Sequence, residues 1–396
     1  MANVTIKKGK ARPFWFRHPW VFSGAVDHVE GEARDGDVVT VLDIDGSYIG
    51  SGLYNSRSQI RVRILSHDPD EAIDPSFFRR RLERAVDLRV NILNLEEQGT
   101  TGYRLVHGEG DALSGVVIDR YEDHFVIQFS ALGIKQREAL FLDFLEERFH
   151  PKCIYENANF PYRDAEGLGA ENGVRRGAAP DGEVRFKENG LQFVTSLDHG
   201  QKTGFYFDQR ENRAFMARHA RDLSVLDAFC YSGGFALNAA MAGAEKVVAI
   251  DSSAAALALG HRNADLNGLE DAIDFLETDV NVYLAEMRAR NRTFDLVNLD
   301  PPKYAVAKKD ITNALHRYRE LNAAAMYLLE PGGLLATSSC SYHVSESDFE
   351  GILNEAAKQT GRFLQVLNRS GQASDHPVSS ACLEGRYLKF ILARVC

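Results

Sequence analysis

Cys340 closes the apolar run Leu334-Leu335-Ala336-Thr337-Ser338-Ser339, downstream of the tripeptide Asp300-Pro301-Pro302. A thiol at a strand end is a nucleophile once ionised. Two prolines fix the backbone and remove two N–H donors, so Asp300 and the carbonyls around it are held in one orientation. Upstream, Val225-Leu226-Asp227-Ala228-Phe229-Cys230-Tyr231-Ser232-Gly233-Gly234-Phe235 reads as a buried strand, a glycine turn and a helix start. Open α/β sheets hold nucleosides in this way. A lone strand-end cysteine is more often a small buried hydrophobe. The Asp-Pro-Pro element and the cofactor loop tip the reading to covalent catalysis.

Three acids mark successive strand ends: Asp227, Asp251 after Val247-Val248-Ala249-Ile250, and Asp279 after Ile273–Glu277. The pattern Asp-x-Phe-x-x-x-Gly-Gly lacks the three-glycine spacing that receives a pyrophosphate, which leaves room for a cofactor without phosphate. Asp251 can accept both ribose hydroxyls, and Asp279 can accept from an adenine amino group while Val280 packs on the ring. Singly, such acids are helix caps or solvated strand ends; in register they mark a ligand edge. The arrangement resembles class I S-adenosylmethionine-dependent methyltransferases. The resemblance implies S-adenosyl-L-methionine as cofactor, with Asp227, Phe229, Tyr231, Ser232 and Gly233 at its methionine part, Asp251 at the ribose, Asp279 and Val280 at the adenine, and Ser252 in the same cofactor-binding set. The segment from Leu197 to Arg210 mixes aromatics, glycine and charge ahead of the first strand. It is expected to lid the cofactor, with Phe205 or Tyr206 against it, Gln209 beside it and Arg210 near a carboxylate or phosphate. Asp300 is counted with this cofactor set as well as with the chemistry.

Asp-Pro-Pro followed by Lys303 resembles the substrate-base motif of nucleic-acid methyltransferases. Members that methylate exocyclic amines place an aromatic directly after the prolines, whereas here Lys303 intervenes before Tyr304. Carbon 5 of a pyrimidine is a poor nucleophile, and attack of a thiolate on carbon 6 activates it. Cys340 and Asp300 are therefore the catalytic candidates, Asp300 hydrogen-bonding the pyrimidine edge. Pro301, Pro302, Lys303 and Tyr304 are the substrate-side candidates. Lys303 could lower the thiol pKa, Ser338, Ser339, Ser341 and Tyr342 could polarise the sulfur, and His343 or a water could remove the C5 proton. Cys230 competes as a thiol but stands on the cofactor side.

The elements that must position these groups follow from pattern. Residues 1–73 read as a small all-β barrel, with Val38-Val39-Thr40-Val41-Leu42 and Ile60-Arg61-Val62-Arg63-Ile64-Leu65 as strands. Residues 74–190 read as a central α+β domain opening with an amphipathic helix from Asp74 to about Asn94, and Glu166 to Gly182 reads as an exposed loop. Residues 191–396 alternate strands near Ser224–Ala228, Lys246–Ile250, Ile273–Glu277, Phe294–Leu299 and Leu334–Ser339 with helices. That is the pattern of a doubly wound α/β sheet. Phe363–Leu367 and Arg386–Ala393 are expected as an antiparallel pair at its edge.

The chain has 396 residues, 44% of them hydrophobic, and a net charge of -10. Residues 1–66 hold nine Lys/Arg and seven Asp/Glu, which leaves -12 for the remainder and allows an RNA contact at the N-terminal module. Five scattered cysteines form no Cys-x-x-Cys pair, so no metal site is expected. Without a signal peptide or a membrane-spanning run, the expected location is cytoplasmic, with no membrane partner.

Across its length the chain resembles the bacterial ribosomal RNA large subunit methyltransferase I family, cytosine-C5 enzymes acting on 23S rRNA. The matching pieces are Arg17-His18-Pro19-Trp20-Val21-Phe22-Ser23, Ser58-Gln59-Ile60-Arg61-Val62-Arg63, Val116-Val117-Ile118-Asp119-Arg120-Tyr121, the run from Gln201 to Arg210, Asp300-Pro301-Pro302-Lys303 and Ser338-Ser339-Cys340-Ser341. The resemblance implies an N-terminal PUA-like RNA-binding domain, a Rossmann-like catalytic sheet and Cys340 as nucleophile. Ala381-Cys382-Leu383-Glu384-Gly385-Arg386-Tyr387-Leu388-Lys389 matches only loosely. Alternatives are uracil-C5 or exocyclic-amine RNA methylation, and an RNA-binding assembly factor without chemistry; a homodimer is left open.

Overall fold

The computed structural model describes residues 2–197, 204–305 and 307–396. Asp198 to Thr203, part of the expected lid, lie outside the described residues. The chain forms two compact units, one comprising Met1–Phe186, Thr195–Phe205 and Ser374–Gly385, the other Lys187–Val194, Tyr206–Ala373 and Arg386–Cys396.

The first unit contains two sheets. Alternating apolar residues such as Val39, Val41, Val62 and Ile64 face inward from a six-stranded sheet that ends at Ile60–Ser66 in sequence. The helix Pro75–Asp87 follows, capped by Asp74, whose side chain accepts from Phe77 N (2.9 Å). It packs Phe77, Phe78 and Leu82 into the core of a five-stranded sheet. The segment expected to be an exposed loop contains a strand, Gly173–Gly177, paired with Cys153–Glu156. Its signal is charge, not hydrophobic period. Arg175 pairs with Glu156, and Arg176 with Asp143 (3.3 Å) and Glu146 (3.1 Å).

The second unit is built on seven strands: β1 (Ser224–Ala228), β2 (Lys246–Asp251), β3 (Ile273–Glu277), β4 (Phe294–Leu299), β5 (Leu329–Ser339), β6 (Leu364–Ser370) and β7 (Lys389–Val395), in the spatial order β3-β2-β1-β4-β5-β7-β6. The first five are parallel, and β7 runs antiparallel to both β5 and β6. β1 and β4 are central and almost wholly buried, as near-continuous apolar runs require. The order reverses between β1 and β4, which opens a crevice at their C-terminal ends. β6 and β7 form the antiparallel pair expected at the edge of the sheet, with β6 outermost and β7 between it and β5. Their physical difference is visible in burial: β7 is buried at six of its seven positions, while β6 alternates. No helix among the described residues is long and apolar enough to cross a membrane.

Candidate active site

The loop after β1 carries Phe229 (φ 64°), Tyr231 (φ 51°) and Gly233 (φ 82°) in left-handed conformation. Side chains rarely adopt this region, at a cost of about 1–2 kcal/mol per residue. Its compensation lies in anchors at both ends. Cys230 N donates to Ile250 O (3.0 Å), Tyr231 N to Asp251 Oδ2 (2.9 Å), and Gly233 N to Cys230 O (2.8 Å). The helix α1 (Gly234–Met241) starts immediately, and Ala236 N donates to Asp227 Oδ2 (2.9 Å). The positive φ at Gly233 favours glycine, and a side chain there would also crowd the Leu237 and Phe275 side chains.

Asp227 is fully buried, and its other oxygen accepts from Asn298 Nδ2 (2.8 Å) on β4. Burial raises its pKa to about 7, against the two hydrogen bonds and with the nearby charges of Asp300 and Asp251. Asp227 thus fixes the loop from beneath. Cys230 is 5% exposed, and burial, with Asp227 and Asp251, pushes its thiol well up. It is a poor nucleophile.

At the β2 end, Asp251 accepts from Tyr231 N on one oxygen and from Ser253 N (2.9 Å) on the other. Each oxygen keeps a lone pair, an acceptor pair suited to the hydroxyls of a diol, and Ser252 beside it is exposed. Asp279 caps the helix α2 (Val280–Ala289), where its Oδ1 accepts from Asn281 N (2.8 Å) and Val282 N (3.1 Å). Val280 is 3% exposed, inside the core cluster of the sheet. The Ser232 hydroxyl is buried without a hydrogen-bond partner. Such an atom asks for a ligand or a water, and it sits in the loop beside the acids. These residues fit a nucleoside cofactor.

At the β4 end, Asp300 Oδ1 accepts from Gln209 Nε2 (3.0 Å), which also donates to Ser338 Oγ (3.0 Å) on β5. Gln209 is itself held: Asn212 Nδ2 donates to its Oε1 (2.6 Å), and Asn212 is fixed by Gly371 O (3.0 Å) and Ser370 Oγ (2.7 Å). Gln209 therefore ties the Asp300 carboxylate at the end of β4 to Ser338 on β5. Tyr206 packs edge-on against Tyr231 (5.4 Å). Burial pushes the Tyr206 hydroxyl pKa up, reinforced by Tyr231, Asp300, Asp208 and Cys340. Arg210 is buried, 3.4 Å from the Glu211 carboxylate. Phe205 belongs to the first unit, where it is 3% exposed with its ring on Phe186 (5.1 Å).

Cys340 Sγ lies 4.0 Å from Pro301 O and is partly exposed. The thiol and the Asp-Pro-Pro turn are thus brought together. Pro302 and Lys303 are exposed, and Pro301 is buried. Tyr304 packs on Tyr318 (4.7 Å) with the Arg317 guanidinium over its ring (3.8 Å). The three serines expected to polarise the sulfur are buried and engaged elsewhere. Ser338 Oγ accepts from Gln209, Ser339 Oγ accepts from Ser341 N (3.4 Å), and Ser341 Oγ is held by Ala305 N (3.2 Å) and the Tyr318 hydroxyl (3.1 Å). Burial raises the Tyr318 pKa to about 12, against those seryl hydroxyls. The sequence reading missed Lys389. It is 6% exposed and donates to Ser341 O (2.7 Å) and Tyr387 O (2.8 Å). Its signal was a single cation at the head of the apolar strand Lys389-Phe390-Ile391-Leu392.

A PUA-like domain model matches residues 4–67, and the S-adenosylmethionine-dependent methyltransferase model matches residues 178–385. The ribosomal RNA large subunit methyltransferase I of Shewanella denitrificans is 42% identical over 395 residues, covering 99% of each chain. That of Aeromonas hydrophila is 40% identical over 396 residues, again 99% of each. The chain belongs to the ribosomal RNA large subunit methyltransferase I family. It is an S-adenosylmethionine-dependent methyltransferase, as the crevice acids and glycine loop led one to expect. Among solved structures, a methyltransferase complexed with SAH shares the fold over the full length of both chains (TM-score 0.85, 20% identity). So does an S-adenosylmethionine-dependent methyltransferase from Streptococcus mutans (TM-score 0.83, 20% identity).

In this methyltransferase, Asp251, Asp279 and Ser232 would hold the cofactor, which supplies an electrophilic methyl on a sulfonium. For a metal, the described residues offer one cluster of His, Cys and acid, His18, Cys382 and Glu384, within the first unit. Trp20 N donates to His18 Nδ1 (3.2 Å), which requires that nitrogen to be unprotonated and leaves Nε2–H facing Glu384 Oε1 (3.3 Å). Cys382 Sγ meets the other Glu384 oxygen at 3.4 Å. The cluster is closed by its own hydrogen bonds.

Proposed function

We propose that this methyltransferase transfers a methyl group to C5 of a cytosine in 23S rRNA, with Cys340 as covalent nucleophile. The observation that carries the reading is the 4.0 Å approach of Cys340 Sγ to the carbonyl of Pro301. A base hydrogen-bonded to Asp300 would lie beside the sulfur. In the sequence of steps, the thiolate forms a bond to C6, the C5=C6 pair moves into C4=C5, and N3 takes up a proton from solvent, with the resulting N3–H donating to Asp300. C5 takes the methyl group that the cofactor's sulfonium would release as its S–CH3 bond breaks, the C5 proton leaves to a base, and the C6–S bond breaks as N3 gives up its proton, which returns the thiolate. Tyr304, covered by Tyr318 and Arg317, supports this over amine transfer, which calls for an open aromatic face.

The substrate class rests on the relatives named ribosomal RNA large subunit methyltransferase I and on the N-terminal surface. Lys7, Lys8, Lys10, Arg12 and Arg17 all precede the first acid, Asp27. Beside them Trp15 (49%), Phe16 (69%) and Phe22 (46%) are exposed, with Arg12 over the Phe16 ring. Cations interleaved with open aromatics suit single-stranded RNA, where phosphates pair and bases stack. The same reading divides the chain into RNA-binding 1–73, central 74–190 and catalytic 191–396 parts. The test is methyl transfer to rRNA with product nucleoside analysis. 5-Methylcytidine from the wild type and none from Cys340→Ala support it; full transfer by Cys340→Ala, or a methylated amine, overturns it.

A further inference from the structure

We propose that Lys389 is the positioning residue of the Cys340 nucleophile, its buried ammonium anchored on Ser341 O and Tyr387 O so that it serves as counter-charge to the thiolate. The inference rests on Cys340 being the nucleophile, and on three observations. First, the antiparallel register pairs Lys389 with Ser339, one residue before Cys340. Second, Nζ donates to the carbonyl of Ser341, one residue after it, at 2.7 Å, so Lys389 spans the cysteine, its backbone paired before it and its ammonium bound after it. Third, its anchors are two neutral carbonyls, and among the described residues no carboxylate lies within ion-pair distance of Nζ.

A buried cation without a counter-ion is costly and is normally paired. The groups whose charges reach Lys389 are Cys340, Glu346 and Lys303. Glu346 is already paired with Arg386 (2.5 Å), and Lys303 repels. Cys340 is the remaining group of the three, and its thiol becomes an anion on ionisation. Among the described residues, the titratable groups that feel the charge of Cys340 include Tyr206, Tyr304, Tyr318 and Lys389. Burial raises the pKa of all three tyrosines, so they stay neutral and Lys389 supplies the charge. Burial likewise lowers the Lys389 pKa to about 8, with Cys340 acting in the opposite direction. Lys389 is thus still mostly protonated at neutral pH. On ionisation the thiol proton passes to solvent, the S–H bond breaks, and the ammonium keeps its own proton. The pair costs little to assemble because Lys389 is already in place.

The test is the pH dependence of Cys340 alkylation by iodoacetamide, followed on the Cys340 peptide by mass spectrometry, with no RNA present. Lys389→Gln keeps a donor for the carbonyls and removes the charge; Lys389→Arg keeps the charge. S-adenosylhomocysteine binding reports that each variant is folded. Lys389→Gln is expected to raise the alkylation midpoint by a unit or more, about a tenfold slower reaction at pH 7, and Lys389→Arg to restore most of it. An unchanged midpoint in a folded Lys389→Gln overturns the proposal. Should that variant not fold, the reciprocal measurement decides. Acetylation of Lys389 by acetic anhydride at pH 8 is faster in Cys340→Ala than in wild type if the thiolate holds the ammonium charged, and equal rates overturn the coupling. A wild type that shows this coupling and yet forms no adduct with RNA contradicts the transfer mechanism without touching the charge pair.

Discussion

Gln209→Glu exchanges one donor for one acceptor at the point where Asp300 is held. The amide that donates to Asp300 Oδ1 and Ser338 Oγ, each at 3.0 Å, becomes a carboxylate oxygen, while Asn212 can still donate to the retained oxygen at 2.6 Å. Packing is preserved and the electrostatics are inverted. Two unit charges about 3 Å apart repel by roughly 5 kcal/mol at an effective dielectric of about 20. The lost charge-assisted hydrogen bond was worth roughly 1.5–3 kcal/mol. Repulsion exceeds that, so one of the two carboxyls retains a proton well above the ordinary carboxylate range. Below that raised value a shared proton bridges the pair and Asp300 stays in place. Above it both ionise and Asp300 is driven out of position. The ratio of variant to wild-type kcat for methyl transfer to rRNA is therefore expected to fall as pH rises between about 5 and 8. Gln209→Leu, which has neither donor nor charge, should lower kcat about tenfold or more at every pH, one missing oriented hydrogen bond being worth that much. Initial rates with saturating labelled cofactor, measured across that range, supply the ratios. A flat ratio for Gln209→Glu, or a Gln209→Leu enzyme with wild-type kcat, would refute the assignment of Gln209 as the group that orients Asp300.

Glu188 is fully buried and bidentate with Arg213, at 2.7 and 2.6 Å, so Glu188→Ala strands a buried guanidinium and should cost about 3–5 kcal/mol in a urea melt. The double variant Glu188→Leu/Arg213→Met should cost less than Glu188→Ala alone, and a larger loss would mean that packing rather than the unpaired charge sets the effect. Asp251→Ala removes the diol acceptor and the anchor of Tyr231 N, and calorimetry should show S-adenosylhomocysteine affinity falling about tenfold or more; unchanged affinity would remove Asp251 from the cofactor edge. Neutralising Lys7, Lys10 and Arg12 together should flatten the salt dependence of RNA binding, by roughly 0.7 in the log–log slope for each phosphate no longer neutralised. An unaltered slope would place the RNA elsewhere.

The second unit was largely readable because its central strands β1 and β4 are almost wholly buried and announce themselves as apolar runs, each with an acid at its C-terminal end. Asp227, Asp251, Asp279 and Asp300 all stand at strand ends of one sheet for that reason. Less readable were features set by long-range pairing. Gly173–Gly177 is held by ion pairs to residues about thirty positions earlier, which no local periodicity reports. Gln209 reads locally as a helix-start residue, and only the fold brings it to Asp300 and Ser338. Lys389 shows the same limit. Its neighbours in sequence are apolar, yet its function is decided by antiparallel pairing with Ser339, a register that sequence alone leaves open. Conversely, the serines around Cys340 were given to the sulfur on proximity in sequence, while the structure engages their hydroxyls with Gln209, Tyr318 and backbone.

The central claim is that Cys340 bonds to the target base. An rRNA fragment carrying 5-fluorocytosine in place of cytosine, incubated with the enzyme and S-adenosylmethionine, cannot lose a C5 proton and should remain attached. Digestion and mass spectrometry of the linked peptide should place the attachment on Cys340, with no linked species from Cys340→Ala. Attachment to any other residue, or methyl transfer to unmodified rRNA at the wild-type rate by Cys340→Ala, would contradict the account.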